Sequence, residues 1–207
     1  MIRRPPRSTQ GVSSAASDVY KRQVHATHMT PEETFKLAKS GAVAGLCPVT
    51  EANLGDGIFN GSEYVSSRGK YGIGSDSNVR ISLTEELRML EYSQRIFRRE
   101  RNVMTDTPGS LGTSLYKSAL SGGSQSLSRN SGSIASGQWA DLIALDYDAL
   151  AFYGSSDDEI LDRWIFSADD SLVREVWSAG RQMVVDGRHV RHGQIEKQYR
   201  KTIRELN

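Results

Sequence analysis

Hydrophobic and polar positions form a regular pattern from Val24 onward. A short extended run, VHATH, precedes Thr30, Pro31 and Glu33, which have the arrangement of a helix start. Threonine can cap the helix, proline suits its first position, and glutamate can complete a capping box. The apolar run AVAGLCP then predicts a buried strand, and the glycines of EANLGDGIFNG predict a long loop after it.

The next stretch repeats this order. YGIGSD predicts a further strand, and Ser82 with Glu85 predicts a capped helix behind it. An apolar stripe on that helix is expected to face a core, and it consists of Leu83, Leu87, Leu90, Gln94 and Phe97. Strands and helices that alternate at this spacing predict parallel βα units.

After Pro108 the sequence becomes rich in serine and glycine, and then in runs typical of strands. LYKSAL predicts a helix, DLIALD a strand, and SLVREVWSAG with RQMVVDGRHV a hairpin across Gly180 and Arg181. A charged helical stretch closes the chain. We therefore predict four segments: a tail over 1–23, an α/β unit over 24–130, a β-rich unit over 131–192 and a helix over 193–207.

Charge separates the tail from the rest of the chain. The 207 residues include 26 Lys plus Arg and 25 Asp plus Glu, with a net charge of +1. Residues 1–23 hold five basic residues and one acidic residue, so the remainder is mildly acidic and no nucleic-acid partner is expected. The tail lacks the apolar segment of a secretory signal and resembles a translated sequencing adaptor. We expect it to be non-native and disordered.

Composition also limits the cellular compartments in which the protein is expected. No apolar run approaches the roughly 18 residues of a membrane span, so no membrane partner is expected. Cys47 is the single cysteine, so no internal disulfide can form. This indicates a reducing compartment and a cytoplasmic location.

Polar side chains at predicted strand ends are the candidates for chemistry. Alternation along a strand places His25 and His28 on opposite faces. His28 is nearer the carboxyl end, where the active site of a (β/α) barrel lies. Asp76 ends the YGIGSD strand, and an aspartate is costly to bury unless it is paired or binds a metal. A structural histidine and a turn-capping aspartate are the competing interpretations.

Several longer motifs occur in a fixed order: VHATHMTPEE, GLCPVTEANLGDGIF, SDSNVRISLTEELR, GSIASGQWADLIALD and RWIFSADD. Together they resemble the carboxyl-terminal half of the formimidoylglutamate deiminase family, which is part of the zinc-dependent amidohydrolase superfamily. The resemblance covers about residues 24 to 200.

The resemblance implies an α/β fold and a bound Zn²⁺. Residues 24–130 would supply about strands 6 to 8 of a (β/α)8 TIM barrel, and 131–192 part of a small composite β-sandwich domain. Asp76 would be a metal ligand that takes a proton from the metal-bound water, with His28 beside that water. Arg80, just beyond Asp76, would recognise a substrate carboxylate with its planar guanidinium, or else form a structural ion pair.

The resemblance also implies a reaction, in which N-formimino-L-glutamate is hydrolysed to N-formyl-L-glutamate and ammonia in histidine degradation. A homodimer is the candidate assembly of the whole enzyme.

The superfamily's metal site needs residues that this sequence lacks. The chain has no H-x-H pair and no H-x-x-E. Three βα units cannot close a barrel of eight. We therefore expect a fragment that is inactive alone and aggregates through its open strand edges. The alternatives are a fragment of a guanine or cytosine deaminase-like aminohydrolase, and a non-catalytic β-rich binding module whose residues 130–190 fold alone.

Overall fold

The computed structural model describes residues 22–77, 80–105 and 107–206 of the chain. The predicted tail lies outside the described residues, except for Arg22 and Gln23. These two residues form a strand with Val24, although the prediction assigned them to the tail.

The described residues contain seven strands and seven α-helices. The strands are β1 (Arg22–Val24), β2 (Val43–Leu46), β3 (Lys70–Ile73), β4 (Leu142–Leu145), β5 (Val173–Ser178), β6 (Arg181–Val185) and β7 (Arg188–His189). The helices are α1 (Pro31–Lys39), α2 (Pro48–Leu54), α3 (Gly61–Ser66), α4 (Leu83–Arg98), α5 (Leu111–Ser126), α6 (Ile160–Phe166) and α7 (His192–Leu206). None of these helices is long and apolar enough to cross a bilayer.

The first three strands form a parallel sheet in the order β1-β2-β3. Val24 pairs with Gly45, and Gly45 pairs with Gly72. The central strand is almost completely buried at Val43, Ala44 and Leu46 because helices cover the sheet. The predicted parallel βα units are therefore confirmed, and the carboxyl ends of all three strands meet at one edge.

Capping residues fix where two of the helices begin. Thr30 forms the predicted capping box with Glu33 at the start of α1. Ser82 accepts a hydrogen bond from the backbone N–H of Glu85 at the start of α4. On α4 the predicted stripe is buried in its middle, while Leu83 and Phe97 at its two ends are exposed.

The segment after β2 differs from the prediction. EANLGDGIFNG was expected to be a loop, but its first residues belong to α2. Pro48 occupies the first turn of this helix, and Gly55 ends it in the left-handed conformation with φ of 63°. Glycine adopts that conformation without steric cost, so here it marks a helix end.

The remaining strands form a separate antiparallel sheet in the order β4-β5-β6-β7. The β5–β6 hairpin turns at Ala179 and Gly180, one residue earlier than predicted, because Arg181 already pairs with Ser178. No residue of these four strands is buried. The described residues show one antiparallel sheet in this segment, and its place in a small composite β-sandwich domain stays a prediction.

Helix α6 lies within the predicted β-rich segment but packs on the first unit. Ile165 is fully buried in the same core as Leu111 and Leu115 of α5. The Asp162 carboxylate accepts a hydrogen bond from the backbone N–H of Gly112 at 2.6 Å. Part of the predicted β-rich segment therefore contributes to the core of the first unit.

The backbone of helix α5 packs directly against the backbone of β3. A Cβ added to Gly122 would lie 1.9 Å from the carbonyl oxygen of Tyr71, and one added to Gly72 would lie 3.2 Å from the backbone nitrogen of Gly123. Only glycine fits at such a crossing. The contact holds the edge strand β3 against a helix that follows it by about 40 residues.

Candidate functional site

The candidate residues lie where the three parallel strands end. His25 directly follows β1, Glu51 lies on α2 just beyond β2, and Asp76 is three residues beyond β3. In open or closed parallel α/β sheets, this edge is where ligands bind.

The backbone turns sharply at His25. Its φ is 63° and that of Ala26 is 56°, both in the left-handed region that non-glycine residues rarely adopt. The N–H of His25 still donates to the carbonyl oxygen of Gly45 at 2.9 Å. The alternation used to place His25 and His28 on opposite faces therefore stops at Val24, and this departure decides which histidine faces the sheet edge.

His25 is the histidine that approaches Asp76. Its Nε2 lies 4.0 Å from Oδ2 of Asp76, and its Nδ1 lies 3.3 Å from Oε1 of Glu51. A separation of 4.0 Å is too long for a direct hydrogen bond and matches two polar atoms that are bridged by one water. The geometry therefore brings the His25 ring and the Asp76 carboxylate together around one water-sized position.

Glu51 is the buried member of this group, with its side chain 6% exposed. Its Oε1 also accepts a hydrogen bond from the N–H of Cys47 at 2.9 Å. Burial raises the pKa of Glu51, and the hydrogen bonds from Cys47 and His25 oppose that rise. Next to it, Thr50 donates to the carbonyl oxygen of Ser75 at 3.0 Å, which ties α2 to the segment that carries Asp76.

His28, the histidine chosen from the sequence, points elsewhere. It is 79% exposed, and its Nε2 lies 3.1 Å from Oδ1 of Asp56. Thr27 donates to the other oxygen of the same carboxylate at 3.1 Å. The hydrogen bond from His28 lowers the pKa of Asp56. In the part of the chain that the structure describes, His28 contacts Asp56 and not Asp76.

Arg80 takes part in an ion pair. Its Nε lies 2.5 Å from Oε2 of Glu85 on the first turn of α4, and its side chain is largely exposed. This arrangement is the structural alternative considered for Arg80. Asn78 lies outside the described residues.

The pairing of His25 with Glu51 was missed in the sequence. The signal was present, because the motif TEANLGDGIF contains both Glu51 and Asp56, the partners of the two histidines of VHATH. Spacing alone could not match them, since the partners are separated by 26 and 28 residues along the chain.

A catalytic zinc site normally has about three protein ligands. Across residues 22–77, 80–105 and 107–206, no group of three His, Cys, Asp or Glu side chains is arranged to hold a metal ion. Asp76 offers one carboxylate, and Nδ1 of His25 is directed at Glu51. The side chains described here therefore do not make a complete zinc site.

Known proteins resemble the chain over most of its length. It is 50% identical over 167 residues to formimidoylglutamate deiminase of Pseudomonas aeruginosa, a match that covers 80% of this chain and 37% of that protein. A probable guanine deaminase of Schizosaccharomyces pombe is 28% identical, over 76% of this chain and 31% of its own length. The chain thus spans about a third of the length of these relatives.

Solved structures share the fold. An amidohydrolase from Brucella melitensis has a TM-score of 0.81 and 45% identity, covering 89% of this chain and 41% of that chain. A zinc-bound adenosine deaminase from Xanthomonas campestris has a TM-score of 0.76 at 22% identity, covering 91% of this chain and 44% of that chain. The sequence model of the amidohydrolase family matches residues 9–183. With its parallel strands, its polar strand ends and these matches, the chain belongs to the amidohydrolase family.

Proposed function

We propose that the chain is part of a formimidoylglutamate deiminase that hydrolyses N-formimino-L-glutamate to N-formyl-L-glutamate and ammonia. The 50% identity to the Pseudomonas aeruginosa enzyme supports this substrate over a nucleobase. The observation that carries the chemistry is the 4.0 Å separation of His25 and Asp76 at the carboxyl ends of parallel strands. We further propose that the whole enzyme is cytoplasmic and acts in histidine degradation.

The two side chains suit hydrolysis of a formimino group. Water attacks the formimino carbon, which becomes tetrahedral, while the carboxylate of Asp76 accepts a proton from that water. Nε2 of His25 accepts a hydrogen bond from the same water and orients it. The carboxyl group of Asp76 passes that proton to the terminal nitrogen, and the hydroxyl proton of the tetrahedral intermediate follows it to the same nitrogen. As the oxygen forms a double bond to the carbon, the bond from carbon to the terminal nitrogen breaks and ammonia leaves the formyl product.

We also propose that the whole enzyme binds Zn²⁺ with Asp76 as one ligand. Zinc-containing structures with this fold support the proposal. The described side chains do not complete a site, so the other ligands would come from the part of the relatives that this chain does not cover. A homodimer remains the proposed assembly of the whole enzyme.

The proposal can be tested in a chimera. The part of the Pseudomonas aeruginosa relative that precedes its match is joined ahead of residue 22 of this chain, and ammonia release is measured. We expect release from N-formimino-L-glutamate and none above background from guanine or cytosine. Ammonia release from guanine or cytosine alone would transfer the proposal to the nucleobase deaminases.

Two variants of the chimera decide which histidine acts. We expect His25→Asn to lower kcat by about 100-fold or more, because it removes the group that orients and polarises the water. His28→Asn should stay within about 3-fold of the parent, since its exposed ring pairs with Asp56. The reverse pattern would restore His28, the histidine predicted from the sequence, as the acting residue.

A further inference from the structure

Two histidine–carboxylate contacts join the segment after β1 to the segment after β2. His25 contacts Glu51, and His28 contacts Asp56. The contacts differ in their surroundings, because the Glu51 side chain is 6% exposed and that of Asp56 is 39% exposed. A buried contact of this kind constrains its histidine far more than an exposed one.

The strained backbone of His25 needs such a constraint. Left-handed conformations at non-glycine residues are energetically unfavourable and persist only where surrounding contacts fix them. His25 and Ala26 both adopt that conformation. The N–H of His25 is held by Gly45, and its ring is held by Glu51. Of these two contacts, only the one to the ring determines where the imidazole points.

Glu51 is itself fixed in place. Its Oε1 accepts a hydrogen bond from the backbone N–H of Cys47, and the hydroxyl of the neighbouring Thr50 donates one to the carbonyl oxygen of Ser75. The carboxylate therefore cannot rotate away without leaving a buried backbone donor unpaired, which is costly. It is a rigid acceptor on the Nδ1 side of the ring.

We propose that Glu51 is the positioning residue of the active site, which accepts the Nδ1 hydrogen of His25 and thereby leaves the Nε2 lone pair facing Asp76. In a neutral imidazole one nitrogen donates and the other accepts, so the partner of Nδ1 sets the role of Nε2. This inference rests on the proposed function, because it gives a task to Nε2 in that reaction. Glu51 acts on the reaction through His25.

Kinetics of the chimera test the inference. Glu51→Leu should lower kcat by about 10-fold to 100-fold with KM within about 3-fold, as is typical when the partner of an active-site histidine is removed. Glu51→Gln should recover most of the lost rate, because its amide oxygen can still accept from Nδ1. Asp56→Leu is the matched control, since it removes the exposed carboxylate from the other histidine, and its kcat should stay within about 3-fold.

Nitrogen NMR of the histidine rings provides a readout that needs no substrate. In the ¹⁵N-histidine-labelled chimera, the signal of His25 is identified by its loss in His25→Asn. We expect the Nδ1-protonated tautomer in the parent and a shift towards the Nε2-protonated tautomer in Glu51→Leu. If the chimera has a different activity or none, these spectra still report on the contact.

Two results would overturn the role of Glu51. One is an Nε2-protonated His25 in the parent. The other is a Glu51→Leu variant that keeps the tautomer and kcat of the parent while its circular dichroism spectrum remains unchanged. A loss of kcat in Glu51→Leu that Glu51→Gln does not relieve, with the tautomer unchanged, would likewise count against it, because the damage would then come from packing.

Discussion

At the scale of single residues, the surroundings of Cys47 lower the reactivity of its thiol. The thiol lies between β2 and α2, and burial raises its pKa to about 11, with the charges of Glu51 and Asp76 adding to the rise. Only the thiolate is a good nucleophile. Cys47 should therefore be inert near neutral pH.

Alkylation by iodoacetamide at pH 8 measures this effect. We expect Cys47 of the folded chain to react about 100-fold more slowly than in urea, because its pKa is raised by about two units from the ordinary value. The rate should increase about tenfold per pH unit between pH 8 and pH 10 and level off above about 11. Equal rates in the folded and unfolded chains would show that the thiol is neither buried nor shifted in its pKa.

The residue scale is also where sequence reasoning reached its limit. The strand ends that carry His25, His28 and Asp76 could be predicted, because apolar runs end there. Which of the two histidines faces Asp76 could not be predicted, because it depends on a left-handed φ at His25 and on contact with Glu51. Neither feature leaves a periodic signal in the sequence.

At the scale of elements, capping residues were reliable guides. Thr30 and Ser82 begin α1 and α4 as predicted because their side chains accept hydrogen bonds from the first helical turn. Helix α2 was missed because Gly55 was taken as part of a loop. Helix α6 was not predicted, and its position depends on distant contacts such as that of Arg88 with the carbonyl oxygen of Ile165, at 2.7 Å.

The glycine pair of α5 allows a matched test of the contact with β3. Gly122→Ala should lower the free energy of unfolding by about 3 kcal/mol, because its Cβ would overlap the backbone of Tyr71. Gly123→Ala meets nothing within 4 Å of the added Cβ, so it should be neutral or stabilising by up to about 1 kcal/mol. Urea denaturation of the two chimera variants gives both values. Similar midpoints would mean that α5 does not lie this close to β3.

At the scale of the whole molecule, apolar groups remain uncovered. Among the described residues β1 and β3 each pair only with β2, which leaves both edges of the parallel sheet without a strand partner. Helix α7 has no buried residue, yet Ile195, Tyr199 and Ile203 form a stripe along it. Open edges and apolar stripes of this kind favour association.

We expect the chain alone to form oligomers of mixed size at micromolar concentration, measured by size-exclusion chromatography with light scattering. The double variant Ile195→Glu with Tyr199→Glu should reduce the average size. Gln194→Glu with Gln198→Glu adds the same charge beside the stripe and should leave the size unchanged. A monodisperse monomer of the parent chain would contradict this expectation.

The backbone contact between α5 and β3 also couples the positions of these two elements. No side chain separates Gly122 from Tyr71, so we expect a shift of the helix axis to displace the strand. Asp76 follows that strand by three residues, and we expect it to shift with the strand. The position of Asp76, the proposed proton acceptor, therefore depends in part on a helix far along the chain. We expect substitutions in α5 to change activity without touching the site.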